Sequence, residues 1–190
     1  MEPTLAPLLI TRQFPRIDRW LRDALLVVAG SLLVAALAQV RIPLPFTPVP
    51  ITGQTFAVLL VGAALGSRRG AASLLLYLMQ GSLGLPVFAG GTGGLVHVFG
   101  PTGGYLLGFV AAAYLVGRLV EGGLDRRFLS ALLVFLAGEA VIYLFGVTWL
   151  GYFIGYQKAL AAGLLPFVIG DAVKLVAAAL ALPAAWKLVR

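Results

Sequence analysis

The stretch LLPFVIGDAVKLVAAALALPAAW, residues 164–186, is apolar except for Asp171 and Lys174. Its 164–182 portion approaches the ~20 apolar residues a helix needs to cross a bilayer. Three residues apart, the two charges share one face of that helix. Ionisable groups at membrane depth are costly, and they face a bundle interior or a water-filled cavity. A structural ion pair joining two helices is the alternative, but burial offsets much of such a pair's attraction. Ligand binding is therefore the stronger reading of Asp171 and Lys174.

The rest of the chain agrees with a membrane setting. Of its 190 residues, 61% are hydrophobic and only 11% charged, more apolar surface than a soluble domain of this size can hide. The sequence predicts a single polytopic membrane domain over residues 1–190. Cysteine is absent, which excludes disulfides and thiolate metal sites, and a lone His97 excludes a histidine cage. Residues 1–23 are polar, carry Arg12, Arg16, Arg19 and Arg22, and do not read as a cleavable signal peptide.

Six apolar segments are expected to span: 24–40, 51–66, 71–88, 104–117, 129–150 and 164–182. The third is interrupted by Gly81, Gly84 and Pro86 and the fourth is short, so five spans is the fallback. With the N-terminus in the cytoplasm, the inner segments hold eleven basic residues: the four N-terminal arginines, Arg68, Arg69, Arg118, Arg126, Arg127, Lys187 and Arg190. The outer loops hold only Arg41 and Lys158. The bias favours six spans with both ends cytoplasmic. The net charge of +7 then reports orientation rather than nucleic-acid binding. The last span runs inward, so Asp171 is expected about 10 Å below the outer surface.

Two outer loops stand over that depth. RIPLPFTPVPITGQT (41–55) has Pro43, Pro45, Pro48 and Pro50, which forbid helix and favour stiff extended chain. LPVFAGGTGGLVHVFGPTGGY (85–105) has glycines that let backbone approach a ligand. Thr102 is expected to cap the fourth span, whose amides would then suit an anion. Plain connectors are the competing reading of both loops. The glycine run lacks the Lys-Ser/Thr of a P-loop, so the chain is not expected to hydrolyse ATP itself.

Glu139, in the fifth span, is open to three readings: a proton site, a partner for Lys174, or a protonated structural residue. Tyr77, Tyr143, Tyr152 and Tyr156 read first as an interfacial belt. Ser31/Ala35, Gly62/Gly66, Gly108/Ala112 and Ala113/Gly117 have the spacing of close helix contacts, serving internal packing or docking to another membrane subunit.

The strings at 38–70 (AQVRIPLPFTPVPITGQTFAVLLVGAALGSRRG), 76–94 (LYLMQGSLGLPVFAGGTGG), 100–109 (GPTGGYLLGF) and 170–174 (GDAVK) resemble, in order, the BioY family, the biotin-binding S components of energy-coupling-factor (ECF) transporters. The resemblance covers much of the chain and omits the fifth span. It implies an all-α bundle of six membrane helices that takes biotin from outside. The implied partners are a transmembrane coupling subunit and two cytoplasmic ATPases, with no cofactor. It places Asp171 and Lys174 on the ligand and makes 41–55 a lid over it, beside the glycine-rich loop 85–104. The expected binding set is Asp171, Lys174, Arg41, Gln54, Tyr77, Gly90 and Thr92. In the expected pose the ureido ring lies deep on the charged pair, with the carboxylate nearer Arg41 or the fourth-helix N-terminus. The family's use of small residues makes Ser31/Ala35 the expected docking face for the coupling subunit.

The main rival is a self-sufficient proton-coupled transporter working through Glu139 or Asp171. An intramembrane enzyme fits poorly, because no HExxH or paired-Asp motif is present and His97 lies in an outer loop. No ring-forming filter string suggests a channel.

Overall fold

A computed structural model describes residues 4–189; Arg190, counted above among the inner charges, lies outside the described residues. The chain is mostly helical. The elements are α1 (Leu5–Gln13), α2 (Arg19–Ala38), β1 (Arg41–Ile42), β2 (Ile51–Thr52), α3 (Gln54–Leu65), α4 (Ser67–Ser82), α5 (Leu95–Phe99), α6 (Gly103–Val120), α7 (Phe128–Ile154), α8 (Tyr156–Gly163) and α9 (Val168–Val189). Each of the six apolar segments holds one helix: α2, α3, α4, α6, α7 and α9. Among the described residues, four of these, α2, α6, α7 and α9, are long and apolar enough to cross a membrane. With twelve residues, α3 reaches only about 18 Å.

The differences at segment ends have local causes. The first span begins at Arg19 rather than 24 because Asp18 caps it, accepting from the backbone N–H groups of Trp20 and Leu21. One residue separates α3 from α4, so Arg68 and Arg69 lie in a helical first turn and not in a loop. That corner needs Gly66 at φ +85°. The amide and hydroxyl of Ser67 donate to Glu121 Oε1 at 2.8 and 2.9 Å, replacing the cap that Gly66 cannot supply. Burial alone would raise the Glu121 carboxyl, but the Ser67 bonds and Arg118 outweigh it and hold it below the ordinary range. The last helix begins at Val168, after a turn over 164–167 that holds Pro166. Asp171 therefore sits in the first turn of α9.

The central helix is α6: 61% of its span is buried, against 28–33% for α2, α7 and α9. Those three show large apolar side chains outward, including Leu32, Leu133, Leu144 and Leu180, as a lipid-facing surface requires. Small residues set the spacing inside. A β-carbon at Gly62 would lie 2.7 Å from the Ala113 carbonyl oxygen, and one at Gly108 3.2 Å from Ile142.

The docking face expected at Ser31 and Ala35 is corrected here. Ser31 is fully buried and Ala35 nearly so. They lie on α2 beside Gly30, whose β-carbon would strike Ser73 of α4. Both side chains are thus turned into the bundle, where α2 packs closely on α4 at Gly30. At the far end, Trp186 of α9 donates to buried Asp125 while Arg126 stacks on its ring at 3.7 Å, tying the last helix to the α6–α7 connection.

Candidate functional site

The proline-rich segment folds back as a two-stranded antiparallel ribbon, with Arg41 opposite Thr52 and Ile42 opposite Ile51. Its prolines keep the intervening chain out of helix, as expected, but it turns at 45–46 and bends at 48–49 rather than running extended. Pro48, Val49 and Pro50 roof a cavity of about 300 Å³. The glycine-rich segment supplies another wall, where Phe88 and Thr92 pair across a short bridge. Phe109 of α6, Ile142 of α7 and Phe167 before α9 complete an apolar lining. The volume is at the lower limit of ~300–1,000 Å³ typical of small-molecule sites.

One corner of the cavity is polar. Asp171 Oδ1 accepts from Lys174 Nζ at 2.7 Å and from Thr55 Oγ1 at 3.2 Å; Oδ2 accepts from the Tyr143 hydroxyl. Lys174 Nζ also donates to the Thr52 carbonyl at 2.8 Å and to Thr55 Oγ1 at 3.2 Å. The pair thus joins α9 to the roof ribbon and the start of α3. Asp171 also profits from its place in the first turn, where helix amides favour a negative charge. The Lys174 side chain keeps 22% of its exposure against 7% for Asp171, so the site is desolvated yet reachable.

Of the seven residues expected from sequence, Asp171, Lys174, Arg41, Gln54 and Thr92 line the cavity; Tyr77 and Gly90 do not. Tyr77 stands behind Gln54, whose Nε2 donates to its hydroxyl at 2.7 Å, and its ring meets Phe88 edge-on at 5.5 Å. It is fully buried rather than interfacial. Gly90 adjoins Arg41: a β-carbon there would lie 2.1 Å from Arg41 Nη1. Arg41 itself is exposed. Thr102 is at the N-terminus of α6 but does not cap it; its hydroxyl donates to the His97 carbonyl at 3.4 Å.

Glu139, Tyr143, Thr55 and His97 line the same cavity and were not in the expected set. For two of them a signal existed. Glu139 and Tyr143 are four apart, so they share a face of α7. Tyr152 and Tyr156, read with Tyr77 and Tyr143 as an interfacial belt, are exposed.

A cavity with an acceptor–donor pair at one corner, apolar walls and a lining guanidinium suits a small, partly apolar ligand with a urea- or amide-like head and an anionic tail. The model of the BioY family matches residues 9–190. A protein from Pyrococcus horikoshii named as a probable biotin transporter BioY is 41% identical over 153 residues, covering 80% of this chain and 89% of its own. The biotin transporter BioY of Thermotoga maritima is 39% identical, with 82% and 91% covered. A crystal structure of the S-component for biotin from an ECF-type ABC transporter superposes with a TM-score of 0.79 at 24% identity, covering 90% of this chain and 95% of that one, and so shares the fold.

Proposed function

The chain belongs to the BioY family, and we propose that it is the biotin-binding S component of an ECF transporter, a multi-pass membrane protein that captures biotin and hands it to an ATP-driven module. The observation that carries this reading is the polar corner of a cavity of vitamin size. Asp171 offers an acceptor for a ureido N–H, and Lys174 a donor for the ureido carbonyl. The apolar walls take the ring and the chain, and Arg41 takes the carboxylate. Gln54 and Thr92 contact the ligand from the cavity wall; Tyr77 and Gly90 act through Gln54 and Arg41.

In this reading α2, α3, α4, α6, α7 and α9 are all membrane elements, with α3 and α4 as short members, and both termini are cytoplasmic. The eleven-to-two distribution of basic residues supports that orientation. The ribbon 41–55 is then an outer lid. The partners are a transmembrane coupling subunit and two cytoplasmic ATPases, since the sequence has no P-loop of its own.

Equilibrium binding of the purified protein to biotin, desthiobiotin and unrelated vitamins tests the reading. Biotin is expected to bind, and unrelated vitamins are not; failure of biotin to bind would overturn it. In liposomes the chain alone is expected to show no concentrative uptake under a proton gradient. Such uptake would favour a self-sufficient transporter.

The carboxylate assignment has its own check. Gly90 has φ +75°, strained for any other residue, and an added methyl would push Arg41 aside. Gly90→Ala is expected to weaken biotin roughly three- to tenfold while affecting biotin methyl ester less. Equal losses on both ligands would detach Arg41 from the carboxylate.

A further inference from the structure

Outside the ion pairs, two buried side-chain oxygens among the described residues meet no hydrogen-bond partner, Gln80 Oε1 and Glu139 Oε1. Only Glu139 lines the cavity. It is 5% exposed and has Asp171 and Lys174 as charged neighbours. A buried oxygen without a partner is a standing cost, and in a binding cavity it marks where a ligand donor belongs.

The hydrogen-bond count at Asp171 shows which donor. A carboxylate has about four acceptor positions. Asp171 already takes Lys174, Thr55 and Tyr143. At most one position remains for a ligand N–H, and Glu139 itself lies within side-chain hydrogen-bonding reach of Asp171. A ureido head has two N–H groups on opposite sides of its carbonyl, and the second needs a different acceptor. Glu139 Oε1, on the facing helix α7, is that acceptor, and it accepts when the carboxyl is ionised or carries its proton on Oε2.

Resting on the biotin reading above, we infer that Glu139 is a ligand-binding residue whose Oε1 takes the second ureido N–H. Asp171 and Glu139 then grip the ureido head from two helices, and the site selects for a urea over a lactam. Tyr143, four residues on, positions Asp171 from the same face of α7.

The test pairs side-chain and ligand changes. Wild type, Glu139→Gln and Glu139→Leu are titrated with biotin and with the two lactam analogues that replace one or the other ureido N–H by CH2. Wild type is expected to lose tenfold or more on each lactam. In Glu139→Leu biotin affinity should fall by about as much, and one lactam, the one lacking the N–H that Glu139 takes, should bind nearly as well as biotin. Glu139→Gln keeps the shape and an acceptor oxygen, and should recover part of both the affinity and the discrimination. Unchanged biotin affinity in Glu139→Leu, or the same penalty for both lactams in variant and wild type, overturns the inference. Loss of biotin and both lactams alike, with no discrimination regained, assigns Glu139 a structural role and overturns it too. A wild-type protein that binds no biotin would instead sink the functional reading on which this rests.

Discussion

Lys174→Met is expected to lower biotin affinity by at least about a hundredfold, and Asp171→Asn by a similar amount. All three N–H groups of Lys174 are committed, to Asp171, the Thr52 carbonyl and Thr55. A ligand carbonyl can reach the ammonium only if one of these is released. The Thr52 carbonyl belongs to the roof ribbon, so exchange at Lys174 would couple the ligand to that ribbon. Each single change should also lower the thermal midpoint, because an unpaired buried charge costs about 3–5 kcal/mol. The double change Asp171→Asn/Lys174→Met removes both charges. It is expected to regain much of the stability and none of the binding. That outcome separates a ligand site from a structural pair, and near-normal binding by the double variant would sink the ligand role.

Asp171 and Lys174 were legible because charge is rare and costly in an apolar helix. Their place in the helix differs from expectation because hydropathy does not register that the chain from Leu164 to Phe167 turns before the helix begins. The break in helix over 41–55 was legible from proline spacing, though not its pairing of Arg41 with Thr52, which depends on tertiary closure. Glu139 carried the same signal of a charge within a span, yet its face relative to α9 depends on how α6 and α7 pack, and sequence spacing does not report that. Ser31 and Ala35 show the converse. Small-residue spacing predicts a close helix contact but does not say whether the neighbour lies in the same chain, and here both residues are buried within this one.

The α6–α7 seam that positions Glu139 and Tyr143 gives the other large effect. A β-carbon at Gly104 would lie 2.2 Å from the β-carbon of Trp149 and 2.5 Å from the Phe145 carbonyl oxygen. Neither is the free end of a flexible side chain, and the Trp149 indole is held by its bond to the Gly100 carbonyl at 2.9 Å. Gly104→Ala must therefore move helix against helix, at a cost of about 1–3 kcal/mol, and Gly104→Leu more. Because α7 carries Glu139 and Tyr143, biotin affinity should fall together with the thermal midpoint. An unchanged midpoint would mean that the seam yields freely. Ligand linkage then distinguishes this loss from the one at the charged pair. Biotin at a hundred times its dissociation constant adds about 2.7 kcal/mol to any folded state that still binds it. Saturating biotin should thus raise the midpoint of Gly104→Ala and leave Asp171→Asn/Lys174→Met where it was, since the first variant has a displaced site and the second has none.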